Sequence, residues 1–404
     1  MSNAAPLTGA PPPGATRAEG RRRTLAVVFA GFCAFLTLYA PQPLLPMMAQ
    51  AFQVSAKAAT RVMAASTLAV VLAAPLVSML ADRFGRKRVI VPSALLLSIA
   101  TLLAATAGGL GQLLLWRFWQ GIFTPGIFAV TVAYINEEWA EGAGSAMAAY
   151  VGGTVLGGFS GRMISAFVAA ATSWRGSFAV LGALALLGAI GMWRWLPPDR
   201  RMAQPRPARE MAAAMLRHLR NPRLVATYAV GFCVLFTLLG AFAYVNFYLA
   251  APPFRLGTRG LGLVFTVYLA GAVFTPIAGR TIDRRGHRFA LTVAMFVAAS
   301  GISLTLVPRL PFVLVGLAMC CTGAWIAQSA ASSYIGTVAH EARAAAVGLY
   351  VMFYYLGGTF GSELPGHLWS RGGWPACVGL IVTVQLLTAA LGAVFWRPQP
   401  GAAV

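Results

Sequence analysis

Twelve long apolar runs occupy most of this 404-residue chain, and they restrict its fold more than any other feature. They cover residues 25–48, 58–81, 89–107, 111–135, 143–168, 177–196, 224–249, 260–280, 289–307, 311–335, 343–368 and 374–395. A helix needs about 20 apolar residues to cross a bilayer, and the short alternating segments of a membrane β-barrel are absent. The sequence therefore predicts an all-α membrane protein with twelve transmembrane helices, called spans 1 to 12 below.

The two halves of the chain repeat one another. Gly-Phe-Cys at residues 31–33 recurs at 231–233, and Gly-Gly-x-x-Gly at 157–161 recurs at 357–361. Parallel repeats with six spans each are typical of two-half transporters, because a cleft lies between the halves. We predict two six-helix bundles related by a pseudo-twofold axis. The predicted parts are a disordered cytoplasmic tail at 1–23, bundles at 24–196 and 224–396, a basic cytoplasmic linker at 197–223 with a short surface helix over 208–220, and a cytoplasmic tail at 397–404.

The net charge of +21 would suit a nucleic-acid-binding protein, but its distribution argues against one. Most of the 31 basic residues fall in loops on one side of the predicted spans. That asymmetry follows the positive-inside rule and places both termini in the cytoplasm of a bacterium, with the spans in its inner membrane. The five cysteines fall within the spans without metal-ligand spacing, so neither a metal nor another cofactor is expected.

The most specific motif is the turn after span 2. Residues 82–86 read Asp-Arg-Phe-Gly-Arg, and residues 283–286, after span 8, read Asp-Arg-Arg-Gly. A solvated charge run is the simpler interpretation, but two Asp-x-x-Gly turns at matching places are not expected by chance. Here the chain resembles the major facilitator superfamily, whose loop between helices 2 and 3 reads G-x-L-A-D-R-x-G-R-K; Ser78 replaces its first glycine.

In that superfamily the loop's charged residues contact the cytoplasmic ends of other helices and hold the outward-facing state. The resemblance therefore implies a conformational switch in this loop and its repeat. The residues of this predicted switch are Asp82, Arg83, Gly85, Arg86, Asp283, Arg284 and Gly286. The acidic residues Glu137, Glu138 and Glu141 are expected to be the counter-ions of Arg86 and its basic neighbours.

Span 4 carries a charge at membrane depth. A charged side chain there costs about 2.5–3.5 kcal/mol, so Arg117 should face water or a partner. Arg117, Gln120 and Gly121 match the R-x-x-Q-G signature of the superfamily, which is associated with proton-coupled substrate movement. The alternative is an arginine that snorkels to the lipid headgroups.

Glu363, in span 11, is the only acidic residue within an apolar run. Spans 2 and 11 adjoin across the cleft in the fold that the resemblance implies, and Arg61 begins span 2 at the outer face. We hypothesise that Glu363 pairs with Arg61 or Arg162 to close an outer gate and that protonation opens it. The alternative is an interfacial glutamate without a role in coupling. The proton-coupling candidates are thus Arg117, Glu363, Arg162 and Arg61.

Span 5 is rich in glycine, and small residues at helical spacing let two helix backbones approach closely. Gly157-Gly158-x-x-Gly161 is similar to the span 5 motif of drug:proton antiporters but lacks their proline. The whole pattern resembles the YnfM-type inner-membrane transport proteins, near the drug-efflux and sugar-efflux branches. We expect these polar and aromatic residues to face a substrate cavity: Tyr39, Gln42, Gln120, Phe236, Tyr244, Asn246, Gln328 and Tyr354.

These observations predict a secondary active transporter rather than an enzyme. No Gly-x-x-x-x-Gly-Lys motif occurs, so the chain itself does not hydrolyse ATP. We expect it to act as a monomer that exports a small molecule in exchange for protons. Uptake by proton symport and uniport are the alternatives. An intramembrane enzyme is a remote one, because no nucleophile, His and Asp constellation lies at membrane depth.

Overall fold

The computed structural model describes residues 17–139, 143–197, 199 and 208–396, without the side chains of 17–19, 78, 208, 272, 276–278, 280, 281 and 283. The predicted tail at 397–404, residues 1–16 of the other tail, Glu141 and the side chain of Asp283 therefore lie outside the described residues.

The described chain is helical almost throughout. Its helices are α1 (Arg17–Leu38), α2 (Leu45–Ala51), α3 (Ala56–Phe84), α4 (Lys87–Ala105), α5 (Leu110–Glu138), α6 (Ala143–Ala171), α7 (Trp174–Trp195), α8 (Ala208–Leu219), α9 (Pro222–Ala250), α10 (Thr258–Val264), α11 (Val267–Leu304), α12 (Leu310–Val338), α13 (Arg343–Glu363) and α14 (Pro365–Phe395).

Twelve helical stretches in the described part of the chain are long and apolar enough to cross a membrane, which confirms the predicted fold class. Span 1 combines α1 and α2, spans 2 to 6 are α3 to α7, and span 7 is α9. Span 8 begins with α10 and continues into α11, which turns at Gly286 (φ 80°) into span 9. Spans 10, 11 and 12 are α12, α13 and the part of α14 after Gly373 (φ 58°).

The first helix begins earlier than the sequence predicts. The predicted disordered tail extends to residue 23, whereas α1 begins at Arg17. Ala, Glu and Arg favour helix, and Arg23 anchors this extension: its Nη2 donates to the Glu138 carbonyl at 3.3 Å, and its guanidinium lies 4.6 Å from the Trp139 ring.

Prolines interrupt span 1. Pro41 has no backbone N–H, so the Thr37 carbonyl loses the partner that a continuous helix would supply. The helix ends at Leu38, a 3₁₀ turn covers Gln42–Leu44, and α2 resumes at Leu45. The prolines therefore break the helix and leave the buried Thr37 and Leu38 carbonyls without partners from their own helix.

Glycines bring α6 against α1 and α13 against α9. A Cβ added at Gly157 would collide with the Phe32 carbonyl oxygen, and one added at Gly357 would collide with the Phe232 carbonyl oxygen. The two contacts are equivalent, because both the glycine and its partner in the second contact lie 200 residues after those in the first. They place span 5 on span 1 and span 11 on span 7. The sequence repeat therefore appears in the packing of the two halves.

Helices α1 to α7 pack together, as do α9 to α14, and the two groups meet mainly where α3 packs on α13 and α6 on α10. We call the end of the molecule that carries residues 85–86 and α8 the linker end. The opposite end, with residues 52–55 and 251–257, is the distal end. Helix α8 matches the short surface helix that the sequence predicts over 208–220.

Candidate functional site

A cavity of about 410 Å³ lies between the two groups of helices. Its walls are largely aromatic and aliphatic, and both halves contribute. The lining residues are Phe35, Tyr39, Phe128, Val151, Thr154, Val155, Gly158, Phe159 and Arg162 from the first half, and Leu235, Leu238, Leu239, Tyr268, Leu269, Trp325, Gln328, Tyr350, Val351, Tyr354 and Tyr355 from the second. Its volume and apolar walls suit a small organic molecule.

Three of the predicted cavity residues line this space: Tyr39, Gln328 and Tyr354. The Tyr354 hydroxyl donates to Gln328 Oε1 at 2.9 Å, so the two side chains hold each other on the wall formed by α12 and α13.

The other predicted cavity residues lie elsewhere. Gln42 is buried beside Arg162, and Gln120 is buried beside Arg117. Phe236 stacks on Phe232 within α9. Tyr244 belongs to the distal contacts described below, and Asn246 donates to the Phe242 carbonyl within its own helix. The cavity of this conformation therefore does not include these five residues.

Arg162 enters the cavity at its distal side and is only 4% exposed. Its Nε donates to Gln42 Oε1 at 2.6 Å, and its Nη1 donates to the Gly158 carbonyl at 2.6 Å. Three aromatic rings surround the guanidinium, with centroids 4.7–5.2 Å from its carbon: Tyr39, Phe265 and Tyr268. No salt bridge joins this cation to a carboxylate in the described part of the chain.

The distal end of the cavity is closed by contacts between the two halves. The Thr60 hydroxyl lies 3.0 Å from the Tyr244 hydroxyl, which also donates to the Ser362 carbonyl at 3.0 Å. Thr67 and Thr359 join their hydroxyls at 3.0 Å. On the side of the linker end, the lining residue Val151 is 48% exposed.

Glu363 lies in this distal contact zone. Its Oε1 is 3.5 Å from Arg61 Nε, with 28% of the glutamate side chain and 51% of the arginine side chain exposed. Of the two partners that the sequence suggests for Glu363, the structure places Arg61 beside it. One turn away, Lys57 Nζ lies 3.5 Å from His367 Nδ1. The zone thus contains one opposite-charge pair and one lysine–histidine contact.

At the linker end, Arg86 joins three helices of the first half. It makes two hydrogen bonds to Glu137, Nη2 to Oε1 at 2.7 Å and Nε to Oε2 at 3.0 Å, and its Nη1 lies 2.6 Å from Asp82 Oδ1. Burial lowers the pKa of Arg86, but the hydrogen bonds and charges of Glu137 and Asp82 outweigh it and raise that pKa above its ordinary value. The arginine is therefore charged in this arrangement.

The two Asp-x-x-Gly turns share one backbone conformation. Gly85 has φ 95° and ψ 153°, and Gly286 has φ 80° and ψ 162°. Such positive φ values favour glycine, which explains why the repeat retains it. Arg83 and Arg284 are exposed beside these turns. Glu138 accepts from Arg23 through its main-chain carbonyl.

Arg117 is fully buried and lies outside the cavity lining. Its five N–H donors all have acceptors. They are the carbonyls of Val62 (3.1 Å), Thr37 (3.1 Å) and Leu38 (2.6 Å), Ser66 Oγ (2.7 Å) and Gln120 Oε1. The carbonyls of Thr37 and Leu38 belong to the last two residues of α1, where the proline break removes their helical partners. Arg117 therefore caps the broken helix and does not snorkel to the bilayer surface.

Two bundles of six spans around a shared cavity are the architecture of a known transporter family. The family model of the Major Facilitator Superfamily matches residues 27–261 and 241–404. The chain belongs to this superfamily. It is therefore a multi-pass membrane transporter that works by alternating access, and it is not an enzyme.

Curated relatives agree with this assignment. The chain is 30% identical to the uncharacterized MFS-type transporter YybF of Bacillus subtilis, with 91% of this chain and 92% of the relative covered. It is 31% identical to the inner membrane transport protein YnfM of Escherichia coli, with 92% of this chain and 89% of the relative covered. The resemblance predicted from the sequence motifs is thus confirmed.

Solved structures support the fold. A bacterial homologue of the human lysosomal transporter Spinster, in an inward-facing and occupied conformation, matches with a TM-score of 0.77 at 16% identity, covering 96% of this chain and 100% of that one. A point mutant of the nucleoside transporter NupG matches with a TM-score of 0.74 at 14% identity, covering 93% of this chain and 99% of that one. At these identities the matches speak for the fold alone.

Proposed function

We propose that this transporter exports a small organic molecule from the bacterial cytoplasm in exchange for protons. The observation that carries the proposal is the distal contact zone, where Glu363 pairs with Arg61 across the two halves. Glu363 is the single carboxylate within an apolar run of the sequence. It lies where the two halves must separate if the cavity is to open at the distal end.

The proposed orientation places the linker end and both termini in the cytoplasm. The basic residues at the linker end, including Arg86, Lys87 and Arg88, support it through the positive-inside rule. In this orientation the contacts of the distal zone close the cavity to the outside. We further propose that the chain lies in the inner membrane, because the relative YnfM is named an inner membrane transport protein, and that it acts as a monomer.

The loop between spans 2 and 3 would act as the conformational switch of the cytoplasmic side. Arg86 already holds Asp82 and Glu137 together within the first half. Closing the cytoplasmic side would bring these charges towards the second half, where the matching turn at Gly286 carries Arg284. The duplicated geometry of the two turns supports a symmetric role for them.

Protonation of Glu363 would loosen the outer gate only modestly. A partly exposed ion pair contributes about 0–1 kcal/mol, so losing its charge shifts the equilibrium between closed and open states by at most about fivefold. The hydroxyl contacts of Thr60 and Thr67 complete the closure. This weak pair suits a gate that must open in every cycle.

The test is proton movement in proteoliposomes that trap a pH-sensitive dye, measured as a panel of organic acids, amines and sugars is added. We expect one solute class to drive proton flux in the wild type and the flux to be lost in Glu363→Gln. Glu341→Gln is the matched control, because Glu341 is exposed on the linker side and its salt bridge is to Arg217. Transport by Glu363→Gln with an unchanged pH dependence would refute the role of Glu363.

A uniporter is the second candidate. It is favoured by one observation: none of the described residues that line the cavity is a carboxylate. The same proteoliposomes distinguish the two functions, since a uniporter moves its solute without solute-dependent proton flux.

A further inference from the structure

We propose that the substrate is an amphipathic organic anion whose acid group binds Arg162 and whose apolar body lies against the aromatic walls of the cavity. This inference rests on the proposed transport function and names the substrate class for the same cavity. It does not depend on whether transport is coupled to protons.

The charge of the cavity is the first step. Arg162 is the single charged side chain among the described residues that line it, and no carboxylate there is paired with this arginine. The carboxylate of span 11 is engaged elsewhere, since Glu363 lies beside Arg61. Withdrawing a cation from water is unfavourable unless a counter-charge accompanies it. An anionic ligand supplies that counter-charge.

The aromatic rings around Arg162 offset only part of this penalty. The three cation–π contacts, to Tyr39, Phe265 and Tyr268, attract the cation but add no negative charge. Hydrogen bonds to Gln42 and to the Gly158 carbonyl also hold its Nε and Nη1, so the guanidinium is fixed in place. The cation is therefore positioned before any ligand arrives.

A second donor lies beside Arg162, on a side chain that is buried behind the cavity lining. The Gln42 side chain is fully buried and uses its Oε1 to accept from Arg162. Its Nε2 donor has no hydrogen-bond partner in the described part of the chain. A carboxylate, sulfonate or phosphate brings only acceptor oxygens, which is what a cluster of donors recognises.

The remaining walls define the rest of the ligand. Leading away from Arg162 towards the linker end, the lining offers rings from Phe35, Phe128, Trp325, Tyr350 and Tyr355. These surfaces stack on a flat or branched apolar body and offer it few polar partners. An organic cation is disfavoured because it would bury a second positive charge against Arg162.

Binding to the purified transporter in detergent tests the assignment without any ion gradient. Isothermal titration calorimetry would compare three acids with their neutral amides: 1-naphthoate with 1-naphthamide, benzoate with benzamide, and decanoate with decanamide. Titrations into empty micelles are subtracted. At least one acid should bind the wild type about 10- to 100-fold more tightly than its amide, as expected for hydrogen bonds to a charged group.

Arg162→Gln should remove this preference while leaving the amide affinity within about twofold, and Arg162→Lys should retain a part of it, because a lysine keeps the charge but lacks the guanidinium fork. Arg309→Gln is the control with the same charge change, because Arg309 is exposed at the start of α12, outside the cavity. If no acid is preferred over its amide in the wild type, or if the preference survives in Arg162→Gln, the assignment is wrong.

Amide binding by Arg162→Gln also reports that the variant is folded; if it is not, the wild-type comparison alone decides. Failure of this test would leave the Glu363 experiment unaffected, and absence of proton flux would leave this assignment unaffected.

Discussion

Arg117 allows a prediction that separates a structural cap from a functional charge. The five N–H donors of its guanidinium are all used, and the carbonyls of Thr37 and Leu38 depend on it because α1 ends there. Lysine has three donors. Arg117→Lys therefore leaves at least two of the five acceptors without a donor, while a positive charge stays buried. At about 1–3 kcal/mol for each buried unsatisfied acceptor, the free energy of unfolding falls by about 2–6 kcal/mol.

Arg117→Met removes the charge as well as the donors. All five acceptors then lose their donor, which costs about 5–15 kcal/mol on the same basis. Relief from burying a charge returns about 2.5–3.5 kcal/mol. The net loss is at least about 1.5 kcal/mol, so Arg117→Met should also be less stable than wild type, and neither the charge alone nor its removal replaces the set of donors.

Thermal unfolding in detergent, followed by fluorescence-detected gel filtration, ranks the variants. We expect both Arg117→Lys and Arg117→Met to be less stable than wild type. Arg309→Lys and Arg309→Met are the matched controls at an exposed position, and both should behave as wild type. If Arg117→Lys were as stable and as active as wild type while Arg117→Met was not, the charge rather than the set of donors would matter, and the reasoning would fail.

Two further predictions concern packing and the linker end. Gly157→Ala should destabilise the first half, because its Cβ would meet the Phe32 carbonyl, whereas Gly152→Ala has open space and should be neutral; equal melting temperatures would contradict this. Arg86→Gln and Glu137→Gln should show a coupling energy of about 1–2 kcal/mol in a double-mutant cycle of stability, because two hydrogen bonds join the pair. Additive effects within about 0.3 kcal/mol would count against a structural role for that pair.

The fold was predictable because a bilayer leaves few alternatives. The length of each apolar run gives a span, and the spacing of 200 residues between the repeats gives the two bundles. The proline break after Leu38 and the turns at Gly85 and Gly286 were also predictable, since backbone chemistry alone decides them. The early start of α1 at Arg17 was not, because the contact of Arg23 with Trp139 joins residues that are distant in sequence.

The cavity was only partly predictable for a related reason. A transmembrane helix that is apolar on every side gives no periodic signal of which face meets the cavity. Tyr244 and Asn246 were expected there, yet both are fully buried in contacts of α9. Tyr268 and Trp325 line the cavity and carried no signal that distinguished them from other aromatic residues.

If the transported species is a monovalent anion, the membrane potential itself drives export. A potential of about 100 mV, negative inside, contributes about 2.3 kcal/mol per charge, which corresponds to roughly 50-fold accumulation outside at equilibrium. The absence of a carboxylate from the described cavity lining then poses no difficulty for export, because Arg162 needs no proton to release an anion.

Proteoliposomes with a potential set by potassium and valinomycin would decide between the two driving forces for an anion that passes the binding test. A uniporter should lose all accumulation when the potential is clamped at zero, whatever the pH gradient. A proton antiporter should still accumulate the anion at zero potential when a pH gradient supplies the driving force. Glu363→Gln should then behave as the uniporter does. Equilibration of the solute without accumulation, whatever the potential and the pH gradient, would refute the transport of a charged species and, with it, the proposed role of Arg162 as the binding site of an anion.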